Sequence, residues 1–165
     1  MTWLCRRLRP HHMKAMAIKK SLGADALKLD NQLCFALYAA SRAMTAAYRP
    51  LLDALGLTYP QYLVMLVLWE TGGSTVKDLG VALRLDSGTL SPLLKRLEAL
   101  GFVARRRSAD DERVVEVVPT EAGTALKQRA LSIPHELACR VGLNERDIAA
   151  LRAELHRLEN TLSMS

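Results

Sequence analysis

Residues 102–119 hold the one stretch of this chain that patterns as β-structure, and that restricts the fold more than any other feature. Phe102 to Arg107 and Arg113 to Val118 are two short β-runs around the polar turn Ser108 to Glu112. Pro119 closes the second run, since it has no N–H for a ladder. The rest of the chain patterns as helix. Half of the residues are hydrophobic, enough for a real core, and helices must bury most of them. The fold class expected is mainly α with a small β-hairpin wing: a winged helix-turn-helix with a helical dimerisation region.

The helices follow from spacing and caps. Asp30 to Leu55 lacks glycine, meets no proline until Pro50, and carries apolar residues at helical spacing. Gly56 breaks that pattern. Thr58 is a good N-cap for a second helix to about Glu70, apolar nearly all round, with Pro60 in its first turn. Gly72 and Gly73 end it. Thr75 caps a short third helix, Val76 to Leu83, and Arg84-Leu85 makes a tight connection. Asp86 caps a fourth helix reaching Leu100, with Gly101 as its stop. Its core face is Leu90, Leu93, Leu94, Leu97 and Leu100. After the hairpin, Thr120 caps a helix over Glu121 to Cys139 that Pro134 interrupts, and Asn144 caps the last helix, to Ser163. The expected organisation is a flexible N-terminal extension at 1–28, a dimerisation helix at 29–58, the DNA-binding region at 59–119 and C-terminal dimerisation helices at 120–165.

Composition removes several classes. The 165 residues suit one domain, or one domain with a dimerisation element. At 24% charged residues the chain is not disordered by composition. No apolar run is long enough to span a bilayer, and Met1 to Lys20 lacks the continuous apolar stretch of a signal peptide. Cys5, Cys34 and Cys139 are far apart, form no CxxC pair and have no metal-ligand spacing with His11 or His12. A cytoplasmic protein with free thiols, and with no metal or organic cofactor, is expected.

The net charge of +6 suits a polyanionic partner. The fourth helix offers small polar groups at its start, Asp86, Ser87, Thr89 and Ser91, and cations further along, Lys95 and Arg96. Short polar side chains can reach base edges while Lys and Arg meet phosphates. Arg105, Arg106, Arg107 and Arg113 line the hairpin, where an arginine could enter a minor groove. Asp110, Asp111 and Glu112 at the tip would pair with those arginines rather than face phosphate. A solvated helix face and an internally paired hairpin account for the same residues, and for Asp86 simple capping suffices.

Cys34 begins a polar stripe along the first helix. Tyr38 lies one turn on, Ser41 and Thr45 follow, and Tyr48 returns to nearly the same face after four turns. Donors around a sulfur favour its thiolate, the form that meets oxidants. The stripe alone suits a small buried thiol better, the common role of a free cysteine.

Asp110-Asp111-Glu112-Arg113 followed by Pro-Thr-Glu-Ala-Gly at 119–123 resembles the wing signature of the MarR family of transcription regulators. LDNQLCFALYAASRAMTAAYRPLLDALGLTYPQYLVMLVLWE at 29–70 and LDSGTLSPLLKRLE at 85–98 are similar to its OhrR-like branch, the organic-hydroperoxide sensors. The resemblance covers about Leu29 to Ser163. It implies a homodimeric repressor, not an enzyme, that binds a pseudo-palindromic double-stranded DNA operator and lets go when an organic hydroperoxide oxidises its sensor thiol. By position it implies Cys34 as that thiol, Tyr38, Tyr48 and Tyr59 as the sensor pocket, and Cys139 as the resolving cysteine of the two-cysteine subgroup.

One constraint is geometric. Fourteen residues separate Cys34 from Tyr48, about 21 Å along a straight helix, so Tyr48 meets only the Cys34 of an antiparallel second copy. Two rivals share these residues. One is a MarR-type repressor answering a small phenolic or aromatic ligand, with the tyrosines as pocket walls. The other is a thiol peroxidase, which has no use for the basic hairpin, and Arg42 is expected to point away from the Cys34 stripe.

Overall fold

The computed structural model describes residues 24–107 and 114–164. Cys5, Arg113 and the acidic turn at 108–112 lie outside the described residues. Among the described residues the α-helices are α1 (Leu33–Asp53), α2 (Tyr59–Thr71), α3 (Val76–Leu83), α4 (Ser87–Ala99), α5 (Glu121–Ala130), α6 (Ile133–Val141) and α7 (Glu145–Ser163). The strands are β1 (Ser74–Thr75), β2 (Val103–Arg107) and β3 (Val115–Pro119). The chain divides into compact units at 1–44 and 45–165, a boundary inside α1 rather than at its ends.

In the first unit two 3-10 turns, Ala24–Leu27 and Leu29–Asn31, precede α1. Asn31 Nδ2 donates to the Asp25 carbonyl at 2.8 Å and Gln32 Nε2 to that of Ala26 at 2.6 Å. Residues 24–28, expected to belong to a loose extension, are thus tied to the helix start. The same side-chain bonds compete with helix, so α1 begins at Leu33 instead of Asp30.

In the second unit the core is helical, as the single hairpin required. Leu52, Val64, Met65, Leu68, Leu79, Leu90, Leu94 and Leu97 are fully buried, joined by Val103 and Val117 from the strands. Capping places the helices. The Thr58 N–H donates to Gln61 Oε1 at 2.8 Å, and Thr75 Oγ1 accepts from the Asp78 N–H at 3.1 Å. Gly72 leaves α2 at φ +75°, and Arg84 turns α3 into α4 at φ +54°, a left-handed conformation that costs energy in a residue with a Cβ. Leu100 is 47% exposed and Leu93 half-buried, so the inward face of α4 is narrower than its leucine pattern suggested.

The wing is more than a hairpin. β3 lies between β2 and β1, all antiparallel, with Val103 opposite Pro119 and Ser74 opposite Val117. β1 has two residues, too short to show alternation in sequence.

The Pro-Thr-Glu-Ala-Gly stretch is the joint between wing and helices. Thr120 N–H donates to the Phe102 carbonyl at 3.1 Å and Thr120 Oγ1 to that of Gly101 at 2.6 Å. Thr120 Oγ1 also accepts from the Gly123 N–H at 3.1 Å. Gly123 lies so close to the strand start that a Cβ there would meet the Phe102 carbonyl oxygen at 2.0 Å. Trp69 Nε1 donates to the Gly123 carbonyl at 2.8 Å, and Lys127 Nζ to that of Trp69 at 3.0 Å.

The helix expected over 121–139 is two helices. The break falls at Leu131-Ser132, and Pro134 sits in the first turn of α6, where its missing N–H had no helical acceptor anyway. Pro134 therefore belongs to the start of a second helix rather than to an interruption inside one. On α7 Leu151, Leu155 and Leu162 are 50%, 42% and 67% exposed. Their spacing puts them on one face, an apolar stripe exposed among the described residues. No helix of the described residues is long and apolar enough to cross a membrane.

Candidate functional site

The exposed face of α4 begins at its cap. Asp86 accepts from the Thr89 N–H at 2.9 Å and from Thr89 Oγ1 at 2.8 Å. Those bonds hold its carboxyl below the usual carboxylate range. Asp86 is thus a cap, and it also orients Thr89. Ser91 Oγ donates to the Ser87 carbonyl at 2.7 Å. Ser87, Thr89, Ser91, Lys95 and Arg96 are all exposed. Thr89 and Ser91 donate inward, which leaves their oxygens outward as acceptors. Pro92 stands inside α4, and Ser91 turning its hydroxyl to the backbone of the same turn fits that locally weakened ladder.

Two of the wing arginines, Arg105 and Arg106, pair with carboxylates outside the turn. Arg105 Nε donates to Glu98 Oε2 at 2.9 Å, and its Nη2 forms a second bond to the same oxygen. This bidentate pair lowers the Glu98 carboxyl and raises the Arg105 guanidinium through their mutual hydrogen bonds. Arg106 Nε pairs with Glu116 Oε2 across the strands at 3.1 Å. Arg105 thus fastens the wing to α4 and Arg106 fastens β2 to β3. Arg107 is exposed. The acids of the turn and Arg113 lie outside the described residues, and the pairing expected at the tip lies there with them. Sequence reasoning missed Glu98 and Glu116. Glu116 was hidden because the register depends on where the turn closes, and nothing local signals Glu98.

In the first unit Cys34 is an exposed free thiol in the opening turn of α1. Tyr38, one turn on, is 56% exposed. Arg42 does not point away from this stripe. Its Nη1 donates to Tyr38 Oη at 2.9 Å, and its guanidinium lies 5.6 Å from the ring centroid. The i,i+4 spacing and the cation–π attraction draw it over.

In the second unit Tyr48 and Tyr59 pack with ring centroids 4.8 Å apart, and Tyr62 lies 6.0 Å from Tyr48. Tyr62 was not anticipated, although it follows Tyr59 at i+3 on α2. Tyr62 in turn meets Trp69 edge-on at 6.2 Å. Burial, then the neighbouring Tyr59 and Tyr62, pushes the Tyr48 phenol up to about 12. Burial also raises Tyr59 and Tyr62. These phenols therefore stay protonated and remain hydrogen-bond donors through the whole physiological range.

A pH dependence follows. A phenol raised by folding contributes stability that is whole below the ordinary tyrosine value of 10.0 and lost by about 12. Melting temperature followed by circular dichroism should drop across that window. Tyr48→Phe should make the drop shallower without removing it, since Tyr59 and Tyr62 contribute in the same direction. An unchanged slope in the variant would contradict this packing.

Cys139 is an exposed free thiol on α6. It lines a concavity of about 840 Å³ between α6 and α7, with Ala138, Gly142, Ile148 and Arg152. Its Sγ is 4.0 Å from His135 Nδ1. A smaller apolar cleft of about 240 Å³ lies among Tyr62, Leu66, Trp69, Ala130, Leu131 and Pro134, with Glu70 and Lys127 also in its lining. Among the described residues no group of three or more His, Cys, Asp or Glu side chains is placed to hold a metal ion.

This arrangement has known counterparts. Residues 46–130 match the family described as transcriptional regulator SarA/Rot. The chain is 50% identical over 141 residues to the organic hydroperoxide resistance transcriptional regulator of Bacillus subtilis, covering 84% of this chain and 94% of that one. It is 52% identical over 139 residues to the helix-turn-helix regulator TtmR of Methylorubrum extorquens, covering 80% and 71%. Among solved structures, reduced AbfR bound to DNA superposes with a TM-score of 0.71 at 34% identity, covering 86% of this chain and 96% of AbfR, a protein of Staphylococcus epidermidis. AbfR in its disulfide form gives 0.57 at 32% identity, covering 93% and 97%. The three-stranded wing beside the exposed face of α4, the thiol at the start of α1 and these similarities have one account: the chain belongs to the MarR-type winged-helix transcription regulators, in the OhrR-like branch.

Proposed function

We propose that this protein is a homodimeric repressor that binds a pseudo-palindromic DNA operator and releases it when an organic hydroperoxide oxidises Cys34. The observation that carries the reading is the exposed Cys34 thiol on a helix whose other conspicuous group, Tyr48, belongs to a half-buried cluster of protonated phenols. Phenol donors stabilise a thiolate and the charge that develops on a peroxide oxygen. Cys34 and Tyr48 are fourteen residues apart on one continuous helix, so the tyrosine serves the thiol of a second copy. The exposed leucine stripe of α7 and the exposed Leu29 and Leu33 give that second copy apolar surface to cover. The named activity of the Bacillus relative and the reduced, DNA-bound and disulfide forms of AbfR support the same reading.

In this chemistry the Cys34 thiolate attacks the terminal peroxide oxygen. An S–O bond forms, the O–O bond breaks, and the alkoxide leaves and takes a proton from water to become an alcohol. Cys139 of the other subunit then displaces the hydroxyl to give an inter-subunit disulfide. The dimer shifts so that its reading helices no longer match successive major grooves. Ser87, Thr89, Ser91, Lys95 and Arg96 meet the DNA, with Arg107 and Arg113 from the wing, while Arg105 and Arg106 hold the wing's shape.

The test is a gel shift on the DNA flanking its own gene, with and without an organic hydroperoxide, in buffer free of reductant. Affinity should fall steeply with salt, by about one counterion for each phosphate met, and Lys95→Ala should lower that slope by about one. Equal affinity for this DNA and for random duplex at physiological salt would sink the proposal. The apolar cleft beside Trp69 favours a second reading, a MarR-type repressor answering a small aromatic ligand. That reading needs release of DNA by such a compound in a protein without Cys34.

A further inference from the structure

We infer that His135 is the general base of the thiol-exchange step, taking the proton from Cys139 as that sulfur attacks oxidised Cys34. This rests on the reading of Cys139 as the resolving thiol and supplies that thiol with a partner. His135 and Cys139 stand at i and i+4 on α6, where successive turns stack side chains on one face. Sγ and Nδ1 are 4.0 Å apart, within reach of an S–H···N hydrogen bond. Both residues are exposed, and both line the concavity of about 840 Å³, so an incoming sulfur has room. The packed side of α6 is Ile133 with Leu137, and His135 has no share in it.

The step balances as follows. A thiolate attacks and a thiol does not. With its Nε2 protonated, the imidazole accepts the Cys139 proton at Nδ1. The sulfur pair attacks Sγ of the Cys34 sulfenic acid, the S–S bond forms and the S–O bond breaks. The electron pair leaves with hydroxide, which takes the proton from the imidazolium and departs as one water. The hydroperoxide that made the sulfenic acid is the only oxidant consumed. The other charged groups here are Glu145 and Arg152 of α7, which line the same concavity, and Glu136 and Arg140 on α6 itself. They are of both signs and none is an imidazole, so the test removes the imidazole alone.

Alkylation by iodoacetamide is measured from pH 6 to 9 in the Cys5→Ser/Cys34→Ser protein, where Cys139 is the one cysteine left. An unassisted thiol of ordinary acidity is roughly 3% thiolate at pH 7, which caps the gain from a base near ~30-fold. Adding His135→Gln should slow alkylation about tenfold at pH 7 and leave it little changed at pH 9, where thiols ionise unaided. Adding His135→Ala should slow it as much, and free imidazole should restore the rate, which a merely structural defect would not allow. Equal rates at pH 7 with no imidazole effect would overturn the inference. With Cys34 and Cys139 both present, formation of the covalent dimer after hydroperoxide should slow by the same factor in His135→Gln. An imidazole-dependent Cys139 that never forms a disulfide with Cys34 would overturn the resolving step instead, so the two failures are told apart.

Discussion

Cys34→Ser should keep hold of its operator at hydroperoxide levels that drive the wild type off by about a hundredfold or more in affinity, the scale that separates specific from non-specific DNA binding. The hydroxyl is nearly isosteric with the thiol, and the side chain is exposed, so neither fold nor reading helix should change. What the variant lacks is the sulfur that accepts oxygen. Fluorescence anisotropy of labelled operator, titrated with organic hydroperoxide, measures the effect directly. Non-reducing electrophoresis of the same samples should show a covalent dimer in the wild type and in Cys5→Ser, and none in Cys34→Ser or Cys139→Ser. If the serine protein leaves DNA as readily as the wild type, the sensor lies elsewhere and the apolar cleft becomes the place to look. If the dimer band depends on Cys5, the resolving role passes to the N-terminal extension.

Gly123→Ala should cost about 3 kcal/mol of stability, the upper range for overpacking a tight site, and lower the melting temperature by roughly 6–12 °C for a chain of this size. The added Cβ would lie 2.0 Å from the Phe102 carbonyl oxygen and 3.3 Å from Met65 Cε. The methionine end can move, but the carbonyl cannot easily, because it accepts the Thr120 N–H at 3.1 Å. Relief therefore needs α5 to back away from the wing, which strains the Trp69 bond to the Gly123 carbonyl. Gly142→Ala is the contrasting control. It has open space at φ +70°, so it bears only the left-handed strain of about 1–2 kcal/mol. Thermal melts of the two variants beside the wild type decide the point, and equal losses would contradict a steric role for Gly123.

Arg106 shows where sequence and structure part. Taking Ser108 to Glu112 as the turn sets Arg107 opposite Arg113, which leaves Arg106 facing Val114. The strands instead pair Arg107 with Val115 and Arg106 with Glu116, and a carboxylate then sits across from the guanidinium. Register depends on where the turn closes, and a two-residue slip preserves the inward and outward alternation that the sequence displays. The Arg105–Glu98 pair was less legible still, because it joins a helix to a strand through tertiary packing. Tyr62 was hidden by its helix. In a run apolar nearly all round, periodicity cannot say which side meets Tyr48.

What the sequence determined by itself is local. Thr58, Thr75, Asp86, Thr120 and Asn144 mark helix starts that the structure repeats within a residue, because a cap satisfies N–H groups within its own turn. The lone hairpin and the apolar spacing of the helices set the fold class for the same reason, and Cys34 stood out through a periodicity internal to α1. Only the tertiary structure decided which long-range partners these residues take. It bound the wing arginines to Glu98 and Glu116, drew Tyr48, Tyr59 and Tyr62 into one cluster, and pressed Gly123 against a backbone carbonyl far from it in sequence. Such contacts depend on how separate elements pack, and packing leaves no period in the chain.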